Sequence, residues 1–270
     1  MTAIAIAELA DALLPDVLDA GRIQMSYFRS GTAVVTKPDN TPVTLADQES
    51  EERLLQGLRR VASAIPVVAE ESASDGRIPA IGDEFFLVDP LDGTREFIAG
   101  RPDFTINIAL VRATRPVFGL IYAPARDELY FTRAPGHAYG AHVPIATSGA
   151  ELARLPATRL QARTPPADGL VVAASQSHMN DATERFLGRF RTSNRIRIGS
   201  SLKFCLIAKG EADIYPRLGR TSEWDTAAGQ AILEAAGGSV TLVDGTPMTY
   251  GHAERRFLNP DYVARGRSAA

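Results

Sequence analysis

The stretch FFLVDPLDGTREFIAG, residues 85–100, leaves an apolar run and sets down two aspartates, a proline, a glycine and a threonine within six residues. A turn accounts for Pro90 and Gly93 but not for both carboxylates. Asp89 ends an apolar strand, Pro90 prevents its simple continuation, and Asp92 returns on a turn that Gly93 eases. Two carboxylates that converge in this way repel unless one is protonated or a cation lies between them, and a hard divalent cation with oxygen ligands is the economical solution. Thr94 then opens a short helix, so the Gly93 and Thr94 amides can face an anion. Metal and anion together suggest phosphate. The bland reading is a capped turn with solvated aspartates.

Two other carboxylate pairs or singles fall at the ends of elements. IPVVAEES reads as a short apolar strand that ends on Glu70 and Glu71, and EWDTAAGQAILEAAGG reads as a helix with Asp225 at its start beside Trp224. Each alone is an ordinary cap or solvated charge; one shared site explains all three.

The surrounding pattern predicts mixed architecture. Ile6, Leu9, Leu13 and Val17 are spaced for a helix over about 3–29, with Pro15 as a kink or break. Thr44 is a plausible N-cap for a second helix whose first turns are acidic. From Asp103 the runs DFTINIALV, RPVFGLIYAP and ELYFTRAPG read as an antiparallel meander. Beyond a weakly patterned segment near 140–168, strand and helix alternate: GLVVAAS, DATERFLGRF, NRIRIGS, SLKFCLIAKG and ADIYPRL. SVTLVDGTPMTY is expected to close as a hairpin around Asp244 and Gly245. The fold class is therefore α+β or α/β, with an N-terminal half over 1–145 that carries most of the acidic residues and a C-terminal half over 146–270 that carries Asp225.

Composition narrows the function. Hydrophobic residues at 45% and charged ones at 23% fit a globular chain of 270 residues, not a disordered one. A net charge of -3 gives no global attraction for a nucleic-acid polymer. Cys205, the single cysteine, cannot form an internal disulfide, which suits a reducing cytoplasm. No run approaches the roughly 20 apolar residues of a membrane span. Glu8, Asp11 and Asp16 break up the opening segment, so no signal peptide is expected.

AEES (69–72), DPLDGTREF (89–97), WDTAAG (224–229) and KPDNTPVTLADQ (37–48) together resemble, in order and spacing, the magnesium-dependent, lithium-sensitive phosphatases that include inositol monophosphatase. Arg95-Glu96-Phe97, SQSH (175–178), GSSLKFCLIAKGEADIYPR (199–217) and FLNP (257–260) are most similar to the 3'(2'),5'-bisphosphate nucleotidases of the CysQ type in that family. The resemblance implies a layered α-β-α-β-α sandwich and removal of the 3'-phosphate of adenosine 3',5'-bisphosphate by metal-activated water, with inositol 1-phosphate or another sugar phosphate as the alternative substrate. It implies two or three Mg2+ ions: one at Glu70, Asp89 and the Leu91 carbonyl, a second at Asp89, Asp92 and Asp225, and a weaker third near Glu70. Asp47, Thr94 and Glu70 are the implied catalytic set.

The substrate contacts expected are Gly93, Thr94, Asp225, His178, Ser200, Lys203 and Arg217. Ser200 and Lys203 lie three apart at a helix start and can share a face for a second phosphate, or be a plain cap and a solvated lysine. His178 has a surface position as its other reading. The resemblance also implies a cytoplasmic enzyme, at most peripheral to the inner face of the cell membrane, with a homodimer left open.

Other chemistries fit less well. A haloacid-dehalogenase nucleophile needs its aspartates two apart, and Asp89 and Asp92 are three apart. A sensing module that binds phosphate without turnover would not need Asp47, Glu70, Asp89, Asp92, Thr94 and Asp225 together. Cys205 reads as core, and His137, His142 and His252 lack zinc-ligand spacing.

Overall fold

The computed structural model describes residues 5–31, 34–36, 42–177 and 179–268. In chain order the first elements are α1 (Ile6–Ser30), β1 (Val34–Thr36), β2 (Pro42–Thr44), α2 (Leu45–Ala62), β3 (Val67–Ala69), α3 (Glu70–Ser74), β4 (Glu84–Asp92) and α4 (Thr94–Ile98). The meander follows as β5 (Thr105–Arg112), β6 (Arg115–Ala123), β7 (Glu128–Ala134) and β8 (His137–His142), then α5 (Gly149–Leu152) and β9 (Thr158–Arg159). The remainder is β10 (Leu170–Ser175), α6 (Asp181–Leu187), β11 (Thr192–Ile198), α7 (Leu202–Ala208), β12 (Ile214–Arg217), α8 (Ala227–Ala235), β13 (Ser239–Leu242) and β14 (Tyr262–Arg265).

Strands β3 to β9 form a seven-stranded sheet in sequence order, antiparallel except for the parallel pair β3 and β4. The second sheet has five strands in the order β11-β10-β12-β14-β13, and β10, β11 and β12 are parallel. Strand alternation decides the layers. On β4, Phe86 and Val88 face α1 and α2, whereas Phe85 and Leu87 face a middle layer that contains α7 and α8. Tyr215, Tyr262 and Ala264 close that middle layer from the smaller sheet. Val172, Ile214 and Val263 point the other way, onto Phe186 and Leu187 of α6. The order is thus α-β-α-β-α, as the resemblance implies.

Pro15 does not break the helix, because α1 runs through it. A proline in a helix interior costs about 3 kcal/mol. Leu9, Leu13, Leu14, Val17 and Leu18 are all buried against the larger sheet, each contributing about 1.5–3 kcal/mol, so packing wins. The Thr44 cap forms as expected: its hydroxyl accepts from Ala46 N at 3.1 Å and Asp47 accepts from Thr44 N at 2.8 Å.

The hairpin expected around Asp244 and Gly245 is corrected. The turn forms, with Leu242 N donating to Thr246 O at 2.8 Å, but only Thr241 and Pro247 bridge beyond it. On its other edge β13 pairs with β14, a strand the sequence pattern did not reveal, because its four residues alternate too briefly to register. No described helix is long and apolar enough to cross a membrane.

Candidate active site

Parallel pairing places the acidic residues side by side. Ala69 on β3 is in register with Val88 on β4, so Glu70 and Asp89 leave adjacent carboxyl ends. On its other side β4 pairs Asp89 with Asn107 and Asp92 with Thr105, and the register shifts between them. That bulge takes up Pro90 and Leu91 and brings both aspartates to one rim. Two hydrogen bonds hold it: Leu91 N donates to Asp89 Oδ1 at 3.0 Å, and buried Gln24 donates to Pro90 O at 2.6 Å. Gly93 closes the turn at φ +96, and a Cβ there would lie 2.9 Å from the Asp103 carbonyl. No other residue fits that backbone without strain.

Asp225 arrives from the second half in a 3-10 turn over Glu223–Asp225. Ser222 N donates to Asp225 Oδ2 at 2.8 Å, and Asn259 donates to Ser222 O at 2.6 Å and Thr226 Oγ1 at 3.0 Å. The late FLNP segment is therefore the brace of the Asp225 turn. One carboxylate oxygen each from Glu70, Asp89 and Asp225 lies within 4.8 Å of the others, and this is the one such cluster among the described residues.

The electrostatics show which ligand charge the cluster favours. Burial raises the Asp89 carboxyl well above its ordinary range, and Glu70, Asp92 and Asp225 add repulsion. Burial likewise raises Asp225, with Asp92 and Glu70 next in size. Asp92 is also raised by burial, but Lys203 and hydrogen bonds from Ser201 and Asn107 oppose the shift. A donor set of carboxylate oxygens with no histidine or thiolate suits a hard cation such as magnesium. The Leu91 carbonyl lies 3.3 Å from Thr94 Oγ1, and the same hydroxyl lies 3.2 Å from Asp47 Oδ1.

The adjoining wall, joined to the acidic cluster where Ser201 donates to Asp92, is basic. The parallel strands β10, β11 and β12 deliver Ser175, the Ser200–Lys203 turn and Arg217 at their carboxyl ends, and all four line one cavity of about 910 Å3 with the acidic cluster. Lys203 is only 5% exposed; its ammonium donates to Ser200 O and lies 5.3 Å from the Tyr215 ring centre. Ser200 sits at φ +51, a backbone that non-glycine residues rarely adopt. Arg217 donates to Arg220 O at 2.8 Å, while its buried Nε has no partner among the described residues. His178 lies outside the described residues, as does part of KPDNTPVTLADQ.

Cys205 is buried and its thiol is pushed up by burial, consistent with core. His252 engages Thr249 and Glu254. Sequence reasoning missed several supports. Asn107 donates to Asp92 Oδ2 at 3.3 Å and to Ser201 Oγ at 3.0 Å; Ser201 Oγ lies 2.8 Å from Asp92 Oδ2 and 2.7 Å from the Asp225 carbonyl. Glu51 accepts from Glu71 N at 2.7 Å and Ser72 N at 2.8 Å, which anchors the start of α3. An asparagine inside the apolar strand TINIALV was the available signal for the first.

A model of the inositol monophosphatase family matches residues 6–267. The chain belongs to that family. It is 40% identical over 229 residues to the 3'(2'),5'-bisphosphate nucleotidase CysQ of Shigella flexneri, covering 85% of this chain and 87% of that one. It is 37% identical over 260 residues to the protein of the same name from Buchnera aphidicola, covering 95% and 93%. Among solved structures, CysQ from Bacteroides thetaiotaomicron superposes with a TM-score of 0.80 at 32% identity over 97% of this chain and 98% of that one.

Proposed function

We propose that this chain is a phosphoric monoester hydrolase, a 3'(2'),5'-bisphosphate nucleotidase that converts adenosine 3',5'-bisphosphate to AMP and phosphate. The observation that carries the reading is one cavity lined both by a carboxylate cluster and by the cations of buried Lys203 and half-buried Arg217. A volume of about 910 Å3 suits a nucleotide. The relatives' printed activity supports it.

Glu70, Asp89 and the Leu91 carbonyl would hold one Mg2+ and Asp89, Asp92 and Asp225 a second, with a third near Glu70. When bound, magnesium supplies charge neutralisation and lowers the pKa of water from about 15.7 towards 7. Thr94, held by Asp47, orients the attacking water, and Asp47 takes its proton through the Thr94 hydroxyl. Glu70 shares the water-facing side. The Gly93 and Thr94 amides hold the transferred phosphate. Water displaces the 3'-oxygen in line, the bond from phosphorus to that oxygen breaks, and the departing 3'-oxygen takes a proton from a solvent water and leaves as a hydroxyl, so no covalent phosphoenzyme forms. Ser200, Lys203 and Arg217, with His178, hold the 5'-phosphate. Asp225 contacts the ribose side. A cytoplasmic place fits a nucleotide substrate and a lone free thiol, and every described residue invoked comes from one chain.

The test is phosphate release from adenosine 3',5'-bisphosphate and inositol 1-phosphate in parallel, with magnesium, without it, and with lithium added. Strong preference for the nucleotide upholds the reading. Preference for inositol 1-phosphate assigns the chain to the sugar-phosphate alternative and removes the roles given to Ser200, Lys203 and Arg217.

A further inference from the structure

Glu96 is 3% exposed, yet its carboxylate has no place in the hydrolysis described above. It sits on α4, one turn of chain beyond the Asp89–Asp92 rim, and belongs to the first half of the molecule. Its Oε1 accepts a hydrogen bond at 2.5 Å from Ser177 Oγ, 81 residues away in the loop that leaves β10. Its Cγ also packs against Gly199. A Cβ at that glycine would lie 2.7 Å from Glu96 Cγ and 2.6 Å from Asp103 O, so side chain and backbone are in direct contact. The two loops that Glu96 touches are themselves joined, Gln176 N donating to Ile198 O at 3.2 Å.

Those loops are the ones that present the basic wall. Ser175 precedes one, and Ser200 and Lys203 follow the other, and all three line the cavity. Burying an ionised carboxylate is costly unless it is hydrogen-bonded, so a buried Glu96 needs an acceptor role. Ser177, itself exposed, supplies the donor.

We infer that Glu96 is a positioning residue for substrate choice: through Ser177 and Gly199 it fixes the β10 and β11 exit loops over the cavity and so sets affinity for the phosphate remote from the carboxylate cluster. This rests on the nucleotidase reading for the identity of that phosphate. The carboxylate acts as an acceptor and a wedge, and Gln at this position keeps both properties. The step transfers no group and moves no proton.

Ser177→Ala removes the donor at an exposed site and leaves the core untouched, so it remains folded if Glu96→Ala does not. Both variants are expected to raise KM for adenosine 3',5'-bisphosphate by about tenfold, the value of one hydrogen bond to a charged group, with kcat changed by less than about threefold. KM for inositol 1-phosphate, which has no second phosphate, stays within about twofold, on the same scale. Glu96→Gln behaves as the parent. Hydrogen exchange read on peptides spanning 174–181 rises in Glu96→Ala and Ser177→Ala but not in Glu96→Gln. Unchanged exchange, equal losses on both substrates, or Glu96→Gln as poor as Glu96→Ala would each overturn the inference. A parent enzyme that prefers inositol 1-phosphate sinks the nucleotidase reading instead, and the exchange comparison then still decides whether the clamp exists.

Discussion

The two walls of the cavity are built alike and charged oppositely. On the acidic wall, the parallel strands β3 and β4 place Glu70 and Asp89 at neighbouring ends, and repulsion with burial pushes the carboxyls of Asp89 and Asp225 upward. On the basic wall, parallel strands of the smaller sheet end at the Ser200–Lys203 turn and at Arg217, whose Nε is buried without a partner among the described residues. Both walls use the carboxyl ends of parallel strands, where side chains of adjacent strands converge. The difference is the charge each favours: carboxylates on one wall suit a cation and Lys203 and Arg217 on the other suit an anion. On the proposed reading, a substrate with two phosphates would satisfy the second wall in a way that a monophosphate would not.

The largest effect that would break this contrast is on the acidic wall. Asp92→Asn in a still folded protein should abolish turnover on every substrate, lowering kcat by roughly 10^3-fold, the scale of losing a preorganised charge at the reacting centre. Phosphate release with circular dichroism as the folding control measures it, and wild-type turnover would refute the mechanism. Chelation should likewise stop turnover, and added magnesium at about 100 times its Kd should stabilise the fold by about 2.7 kcal/mol, read as a rise in Tm. Asp89→Asn should blunt that rise.

The basic wall should respond selectively. Lys203→Met keeps a long apolar stem in a buried position, so KM for adenosine 3',5'-bisphosphate should rise by about tenfold or more while inositol 1-phosphate is affected far less. Equal losses on both substrates would show that the two walls do not divide the labour. A stability measurement sharpens the rim itself: Gly93→Ala forces a side chain into a left-handed backbone and against Asp103 O, at a cost of about 1–3 kcal/mol by urea unfolding. The smallest effect concerns Cys205, which lies in the middle layer with its thiol raised by burial. Thiol alkylation should leave native enzyme unmodified and fully active, reacting only on unfolding.

The acidic wall was legible in sequence because its logic is local. Asp89, Pro90, Asp92 and Gly93 fall within five residues, and a strand, a bulge and a left-handed turn follow from their types. The Thr44 cap was readable for the same reason. Asn107 and Ser201 were not, since their meeting at Asp92 depends on residues 94 apart in the chain. Strand β14 was lost because four residues carry too little periodicity, and its partners come from residues 214–217 and 239–242. The turn at Asp244 and Gly245 was legible from local residues, whereas the longer pairing on the other edge of β13 comes from farther along the chain.

The position of β14 has a consequence for how the protein is made. It lies between β12 and β13, inside the smaller sheet, although it is the last strand in sequence. Asn259, just before it, holds the turn that carries Asp225. A ribosome synthesising this chain therefore has Glu70, Asp89 and Asp92 complete long before the sheet that must face them can close. Until then Asp225, the member of the cluster with Glu70 and Asp89 that comes from the second half, is without the Asn259 brace of its turn. The smaller sheet is continuous only when Tyr262–Arg265 lie between β12 and β13.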